Sequence, residues 1–122
     1  MKGKALYIED NEEARLLMRR VLEYLDIELE EAESAEEGID KVKMIHPDII
    51  LMDIQLPGIN GYDATKLIKS EPGTSEIPVI AVTATAQFQD REKALAAGCD
   101  NYLTKPYTLD ELREVISDFL KL

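Results

Sequence analysis

Five short apolar runs recur along the 122-residue chain, and segments with helical spacing separate them. Runs of this length, rich in β-branched residues and bounded by polar or turn residues, predict buried strands. We predict strands over residues 4–9, 27–32, 48–53, 78–83 and 101–104. In the second run Ile27 and Leu29 alternate with acidic residues, which predicts a half-exposed edge strand.

The segments between these strands carry apolar residues three and four positions apart, which predicts amphipathic helices. Asn11 is a suitable N-cap for the first helix, and Ser34–Glu37 and Thr108–Glu111 have the spacing of capping boxes. We predict further helices over residues 61–70 and 88–97, the latter short and weakly amphipathic. The residues expected to face inward on the first and third helices are Ala14, Leu17, Met18, Val21, Leu22, Leu25, Ala64, Leu67 and Ile68.

The regular alternation of strands and helices predicts an α/β fold with one parallel sheet covered by helices on both faces. Right-handed crossovers leave few arrangements of such a sheet. The common doubly wound, flavodoxin-like order for five strands is 2-1-3-4-5, with the switch point between strands 1 and 3. We expect a single domain over residues 1–122.

The charge of the chain narrows the classes of partner. The formal net charge of −11 disfavours direct binding to DNA and to anionic membranes, and favours a cation as ligand. The apolar run over residues 5–8 is too short for a signal peptide or a membrane span. With Cys99 as its single cysteine the chain has no internal disulfide, so we expect a cytoplasmic protein.

Polar residues close four of the five predicted strands. Glu9 and Asp10 follow the first strand, and the third, fourth and fifth strands end at Asp53, Thr83 and Lys105. Taken singly, each has an ordinary interpretation as a cap, a strand-end hydroxyl or a solvated charge. In the predicted strand order they converge at one edge, where three carboxylates suit Mg²⁺ and one of them could attack phosphorus.

The full set of motifs resembles that of two-component response-regulator receiver domains. The matching motifs are Glu9-Asp10, Asp53 with Leu56-Pro57-Gly58 and Gly61, Thr83-Ala84, and Tyr102-Leu103-Thr104-Lys105-Pro106. The resemblance implies that Asp53 accepts a phosphoryl group from a histidine kinase or histidine phosphotransfer protein. It also implies that the chain is a signalling protein, not an enzyme, which catalyses only its own phosphorylation and dephosphorylation.

The resemblance further implies a Mg²⁺ site, in which Mn²⁺ can substitute. Asp10, Asp53 and the backbone carbonyl of Gln55 would be the protein ligands, and Glu9 would act through a metal-bound water. Gln55 and Thr85 occupy positions that tune the lifetime of the aspartyl phosphate in the family, which leaves that lifetime open here.

For the remaining residues the resemblance implies a switch. Lys105 would pair with the phosphoryl group, the Thr83 hydroxyl would move towards it, and Tyr102 would turn inward. Lys105–Pro106 matches the site of a cis peptide bond. A downstream protein would then bind the face formed by helix 4, strand 5 and helix 5, and no output domain is expected.

Three alternative functions share this architecture. A flavodoxin-type FMN module would need a phosphate-binding loop where this chain has Glu9 to Glu13, which would repel a phosphate. A phosphohydrolase with an Asp nucleophile would usually carry a second acid where this chain has Gln55. The third alternative is a binding module that acts without phosphorylation.

Overall fold

The computed structural model describes residues 2–84 and 88–122, except for the side chain of Phe88. Its strands are β1 (Lys4–Ile8), β2 (Glu28–Ala32), β3 (Ile49–Asp53), β4 (Val79–Thr83) and β5 (Asn101–Thr104). Its helices are α1 (Glu12–Tyr24), α2 (Ala35–Ile45), α3 (Gly61–Ser70), α4 (Phe88–Ala96) and α5 (Leu109–Ser117). Among the described residues, no helix has the length and apolar character needed to cross a bilayer.

The strands form one parallel sheet in the order β2-β1-β3-β4-β5, which confirms the predicted α/β topology. β1 therefore lies between β2 and β3, and the chain reverses its direction of winding between β1 and β3. The carboxyl ends of β1, β3, β4 and β5 meet at the same edge of the sheet. β2 is an edge strand, and its residues from Glu28 to Glu31 are partly exposed, as predicted.

Side-chain alternation along the strands divides the core into two layers, one on each face of the sheet. The first layer joins strand residues to α2, α3 and α4, and its members include Leu6, Ile8, Ile50, Met52, Val79, Ala81, Val42, Ala64, Ile68 and Ala94. The second joins the strands to α1 and α5, and its members include Ala5, Tyr7, Ile49, Leu51, Ile80, Val82, Met18, Leu22, Leu112 and Ile116. The central strands are buried on both faces, as expected for a parallel sheet.

Polar caps begin the helices where the sequence predicts them. Asn11 accepts a hydrogen bond of 2.8 Å from the backbone N–H of Ala14, and Thr108 forms a complete capping box with Glu111. The capping box predicted at Ser34–Glu37 is only half formed. Ser34 caps α2, but the Glu37 carboxylate accepts from the backbone N–H of Glu33 at 3.3 Å.

Two leucines predicted to face inward are exposed instead. Leu17 is 52% exposed and Leu67 is 48% exposed. Each lies one position, or about 100° of helix rotation, before a buried residue, Met18 in α1 and Ile68 in α3. The buried stripe of each helix is narrower than the apolar pattern indicates, so Leu17 and Leu67 lie outside it.

Candidate functional site

Three carboxylates converge at the carboxyl edge of the sheet. Glu9 and Asp10 follow β1, and Asp53 is the last residue of the neighbouring strand β3. Each offers an oxygen atom, and these three atoms all lie within 4.8 Å of one another. Glu9 and Asp53 are buried, whereas Asp10 is exposed. The structure thus brings together the acidic residues that the sequence singles out.

The Glu9 carboxylate is 1% exposed and is surrounded by donors. Its Oε1 accepts from the Tyr7 hydroxyl at 3.1 Å and from the Lys105 ammonium, and its Oε2 accepts from the backbone N–H of Asn11 at 3.3 Å. Burial opposes the charged form of Glu9. Hydrogen bonds with Asp53 and Lys105, together with the charge of Lys105, nevertheless lower its pKa to about 2.

The surroundings of the neighbouring Asp53 carboxyl shift its pKa in the opposite direction. Burial, followed by the hydrogen bond and the negative charge of Glu9, raises the pKa of Asp53 to about 7. The charge of Lys105 and the hydrogen bond of 3.1 Å from the backbone N–H of Gln55 act against this shift. Two carboxylates this close repel each other, so full ionisation of Asp53 favours a nearby cation.

The donor set fits Mg²⁺ by its chemistry. The cluster offers carboxylate oxygens alone, two of them buried and one on a solvent-exposed side chain. Mg²⁺ prefers oxygen ligands, and usually takes one or two carboxylates while it keeps several waters. Asp10 leaves one side of this cluster open to solvent, while Asp53 belongs to the sheet.

The loop after β3 is held against the start of α3 by a glycine. A Cβ atom at Gly61 would lie 2.4 Å from the Asp53 carbonyl oxygen and 2.7 Å from the Ile54 Cα, so any larger residue would force the two segments apart. The Gly61 N–H also donates to the Ile54 carbonyl at 3.0 Å. The backbone at Asp53 is therefore fixed by close packing.

β4 and β5 bring the remaining predicted residues to the same edge. Thr83 is 1% exposed, and its carbonyl accepts from the Lys105 N–H at 2.7 Å. The Lys105–Pro106 peptide bond is cis. Tyr102 is half-buried against the layer that contains Ala81, the residue it pairs with in the sheet. Because side chains alternate along a strand, Tyr102 and Thr83 lie on the same face.

The resemblance also points to Thr85 as a residue that tunes the lifetime of the aspartyl phosphate. Thr85 lies outside the residues that the structure describes. Among the described residues, Tyr7 and Arg15 also contact the site but belong to none of the receiver motifs. Tyr7 is fully buried, and Arg15 is 9% exposed in a stripe of α1 where apolar residues were expected. Arg15 donates to the Glu9 carbonyl at 2.9 Å and forms ion pairs with Glu31 and Glu33 at 3.4 and 3.1 Å.

Comparison with known families identifies the family of this chain. The sequence profile of the response regulator receiver domain matches residues 5–117. The chain belongs to the response regulator receiver domain family. It is therefore a signalling module of two-component systems, which confirms the resemblance drawn from its motifs.

Two relatives of this receiver domain differ in size. The chain is 38% identical over 120 residues to the polar-differentiation response regulator DivK of Brucella ovis, covering 98% of each protein. It is 44% identical over 119 residues to hybrid signal transduction histidine kinase G of Dictyostelium discoideum. That match covers 95% of this chain but only 4% of the kinase.

A solved structure shares the fold closely. The receiver domain of sensor histidine kinase PA1611 from Pseudomonas aeruginosa PAO1 superposes with a TM-score of 0.90 at 30% identity, over 98% of both chains. That structure has a magnesium ion coordinated in its active site cleft.

Proposed function

We propose that this receiver domain accepts a phosphoryl group on Asp53 from a phosphohistidine and thereby changes a protein-binding surface. The observation that carries the proposal is the placement of the Asp53 carboxylate. It lies at the carboxyl edge of the sheet with two further carboxylates, and Lys105 contacts one of them. Membership of the receiver family supports the same assignment.

The chemistry proposed for Asp53 is a phosphoryl transfer. A carboxylate oxygen of Asp53 forms a bond to phosphorus as the bond between phosphorus and the donor imidazole nitrogen breaks. The electron pair of that bond stays with the imidazole, which gains a proton from solvent. Lys105 needs only to exchange Glu9 for a phosphoryl oxygen to stabilise the charge on the transferred group.

The metal would be Mg²⁺, with Mn²⁺ able to substitute. Asp10, Asp53 and the backbone carbonyl of Gln55 would hold it, and Glu9 would contact it through water. When bound, the ion supplies positive charge that offsets the carboxylates and the anionic donor. The magnesium in the PA1611 receiver domain supports this assignment.

Phosphorylation of Asp53 would change the positions of two side chains, Thr83 in β4 and Tyr102 in β5. The phosphoryl group would attract the Thr83 hydroxyl by a charge-assisted hydrogen bond. Since Tyr102 lies on the same face of the sheet, it would turn into the space that Thr83 leaves. The face formed by α4, β5 and α5 would then bind a downstream protein.

The remaining proposals concern the phosphodonor, the cellular compartment and the domain organisation. The donor would be a histidine kinase or a histidine phosphotransfer protein, and both would place this chain in the cytoplasm. We assign residues 1–122 to one receiver domain, and the match of the receiver profile to residues 5–117 supports this. The net charge of −11 argues against direct contact with DNA.

Intact-mass spectrometry after incubation with acetyl phosphate tests this function. Wild-type protein should gain one phosphoryl group with Mg²⁺ and none in chelator, and Asp53→Asn should gain none in either. Phosphate uptake by Asp53→Asn at the wild-type level would overturn the proposal.

A further inference from the structure

Tyr7 places a hydroxyl group deep in the core, next to the functional site. It is fully buried in β1, whose residues Ala5, Leu6 and Ile8 are aliphatic. Its ring packs in the core layer under α1 and α5. Its hydroxyl points along the strand towards the carboxyl edge and donates to Glu9 Oε1 at 3.1 Å.

The oxygen that Tyr7 contacts is the one that Lys105 contacts. Glu9 Oε1 accepts from both the Tyr7 hydroxyl and the Lys105 ammonium, while Oε2 accepts from the Asn11 N–H. Glu9 is 1% exposed, so water is a poor substitute for any of these donors. Besides its hydrogen bond with Asp53, the carboxylate is thus held by the neutral donors Tyr7 and Asn11 and by the charged donor Lys105.

The proposed phosphoryl transfer changes the set of donors that contact the Glu9 carboxylate. In the transfer proposed above, Lys105 exchanges Glu9 for a phosphoryl oxygen, and a buried carboxylate that loses a charged donor is costly. The Tyr7 hydroxyl and the Asn11 N–H remain in place. Because Tyr7 shares Oε1 with Lys105, it is the donor that compensates at the oxygen that Lys105 vacates.

We propose that Tyr7 is a positioning residue that holds the Glu9 carboxylate while Lys105 moves to the phosphoryl group. The inference rests on the proposed function of Asp53 and adds a residue that the receiver motifs do not include. The hydroxyl of Tyr7 bonds to the Glu9 carboxylate, so Tyr7 acts through that residue.

The chain offers a matched control. Tyr107 is a partly buried tyrosine beside the same core layer, but its hydroxyl donates to the Met18 sulfur at 3.7 Å. Tyr7→Phe and Tyr107→Phe each remove one hydroxyl and keep the ring, so both should fold. Circular dichroism and thermal unfolding would establish that they do.

The test is a double-mutant cycle on the rate of phosphorylation by acetyl phosphate at saturating Mg²⁺. Tyr7→Phe should slow phosphorylation by roughly 5- to 50-fold, because the hydrogen bond that it removes becomes stronger once Lys105 leaves Glu9, and only that gain affects the rate. In the Lys105→Ala background, where no exchange takes place, the same substitution should change the rate by less than about twofold. Tyr107→Phe should leave the rate of the otherwise unchanged protein as it is.

A merely structural role for Tyr7 gives a different result. Tyr7→Phe would then slow both backgrounds by the same factor, or have no more effect than Tyr107→Phe, and either outcome would overturn the inference. The Glu9→Gln background gives a second check, since the effect of Tyr7→Phe must shrink there too. Failure of the wild-type protein to take up phosphate would instead refute the proposed function.

Discussion

Lys105 and Glu9, 96 positions apart in the sequence, form an ion pair between the carboxyl ends of β5 and β1. The Glu9 side chain is 1% exposed and that of Lys105 is 26% exposed, so the pair spans the boundary between core and crevice. Asp53 lies beside Glu9. The ammonium that we propose to pair with a phosphoryl group on Asp53 is therefore already held next to that residue.

Removal of this cation should impair the chemistry at Asp53. We expect Lys105→Ala to slow phosphorylation by acetyl phosphate at least tenfold, since loss of one preorganised donor to a developing charge costs about 10²-fold in rate. Lys105→Arg should not restore the rate, because a planar guanidinium does not replace a compact ammonium. The exposed Lys121 provides the control, and Lys121→Ala should behave as wild type. Wild-type kinetics for Lys105→Arg would contradict the assigned role.

The two acids after β1 should contribute unequally to metal binding. Asp10 is exposed and is the proposed direct ligand, whereas the oxygens of Glu9 already accept hydrogen bonds from protein donors. We expect Asp10→Ala to weaken Mg²⁺ binding roughly 10- to 100-fold, and Glu9→Ala to weaken it less. Isothermal titration calorimetry with MgCl₂ measures both. A larger loss in Glu9→Ala would exchange the two assignments.

In chelator, the stability of the folded protein should fall as the pH rises towards 8. The pKa of Asp53 is raised from its ordinary value of 3.8 to about 7, so the folded state binds this proton more tightly than the unfolded state does. The resulting stability is complete below pH 3.8 and is lost as the pH rises through 7. Glu9, whose pKa is lowered to about 2, contributes stability that is lost only as the pH falls below 4.5.

Urea unfolding between pH 5 and 8 measures this dependence. The wild-type protein should lose stability across that range, and Asp53→Asn should lose much less. Mg²⁺ should stabilise the wild type most at the upper end, where Asp53 is ionised. Identical pH profiles for the two proteins would show that Asp53 titrates normally.

The sequence was most informative where physical constraints are strong. Fully apolar runs identified the central strands, and the strand order followed from five repeats of one strand and one helix. That order alone predicted that Glu9 and Asp53 would meet. Caps such as Asn11 and Thr108 fixed the helix starts because only a few side chains can bond the free N–H groups there.

The sequence was least informative about side chains at the edges of the buried stripes. Leu17 is more hydrophobic than Arg15, yet Arg15 is the residue that α1 buries. Glu31, Glu33 and the Glu9 carbonyl stabilise the buried guanidinium of Arg15. The two glutamates are distant from Arg15 in the sequence, so the pattern of α1 alone does not reveal them. Tyr7 gives no signal in the sequence for the same reason, since a tyrosine in a buried strand is ordinary unless its partner is known.

The proposed switch should depend on the Thr83 hydroxyl. Thr83→Ala should still accept phosphate at Asp53 but should lose most of the phosphate-dependent change at Tyr102 and α4, visible as amide NMR shifts. A coupling of about 1–3 kcal/mol corresponds to roughly 5- to 150-fold in partner affinity. Thr104, which pairs with Thr83 in the sheet, provides the matched control. Wild-type shifts in phosphorylated Thr83→Ala would disprove the coupling.

The central claim is that Asp53 is the phosphoacceptor, and reductive trapping tests it most directly. Borohydride reduces an acyl phosphate to an alcohol, so a phosphorylated Asp53 is converted to homoserine at position 53. After treatment with acetyl phosphate and Mg²⁺, peptide mass spectrometry should find homoserine at position 53 in the wild type, and none after treatment in chelator. Homoserine at position 10 instead, or an unmodified position 53 in protein that has gained a phosphoryl group, would contradict the account.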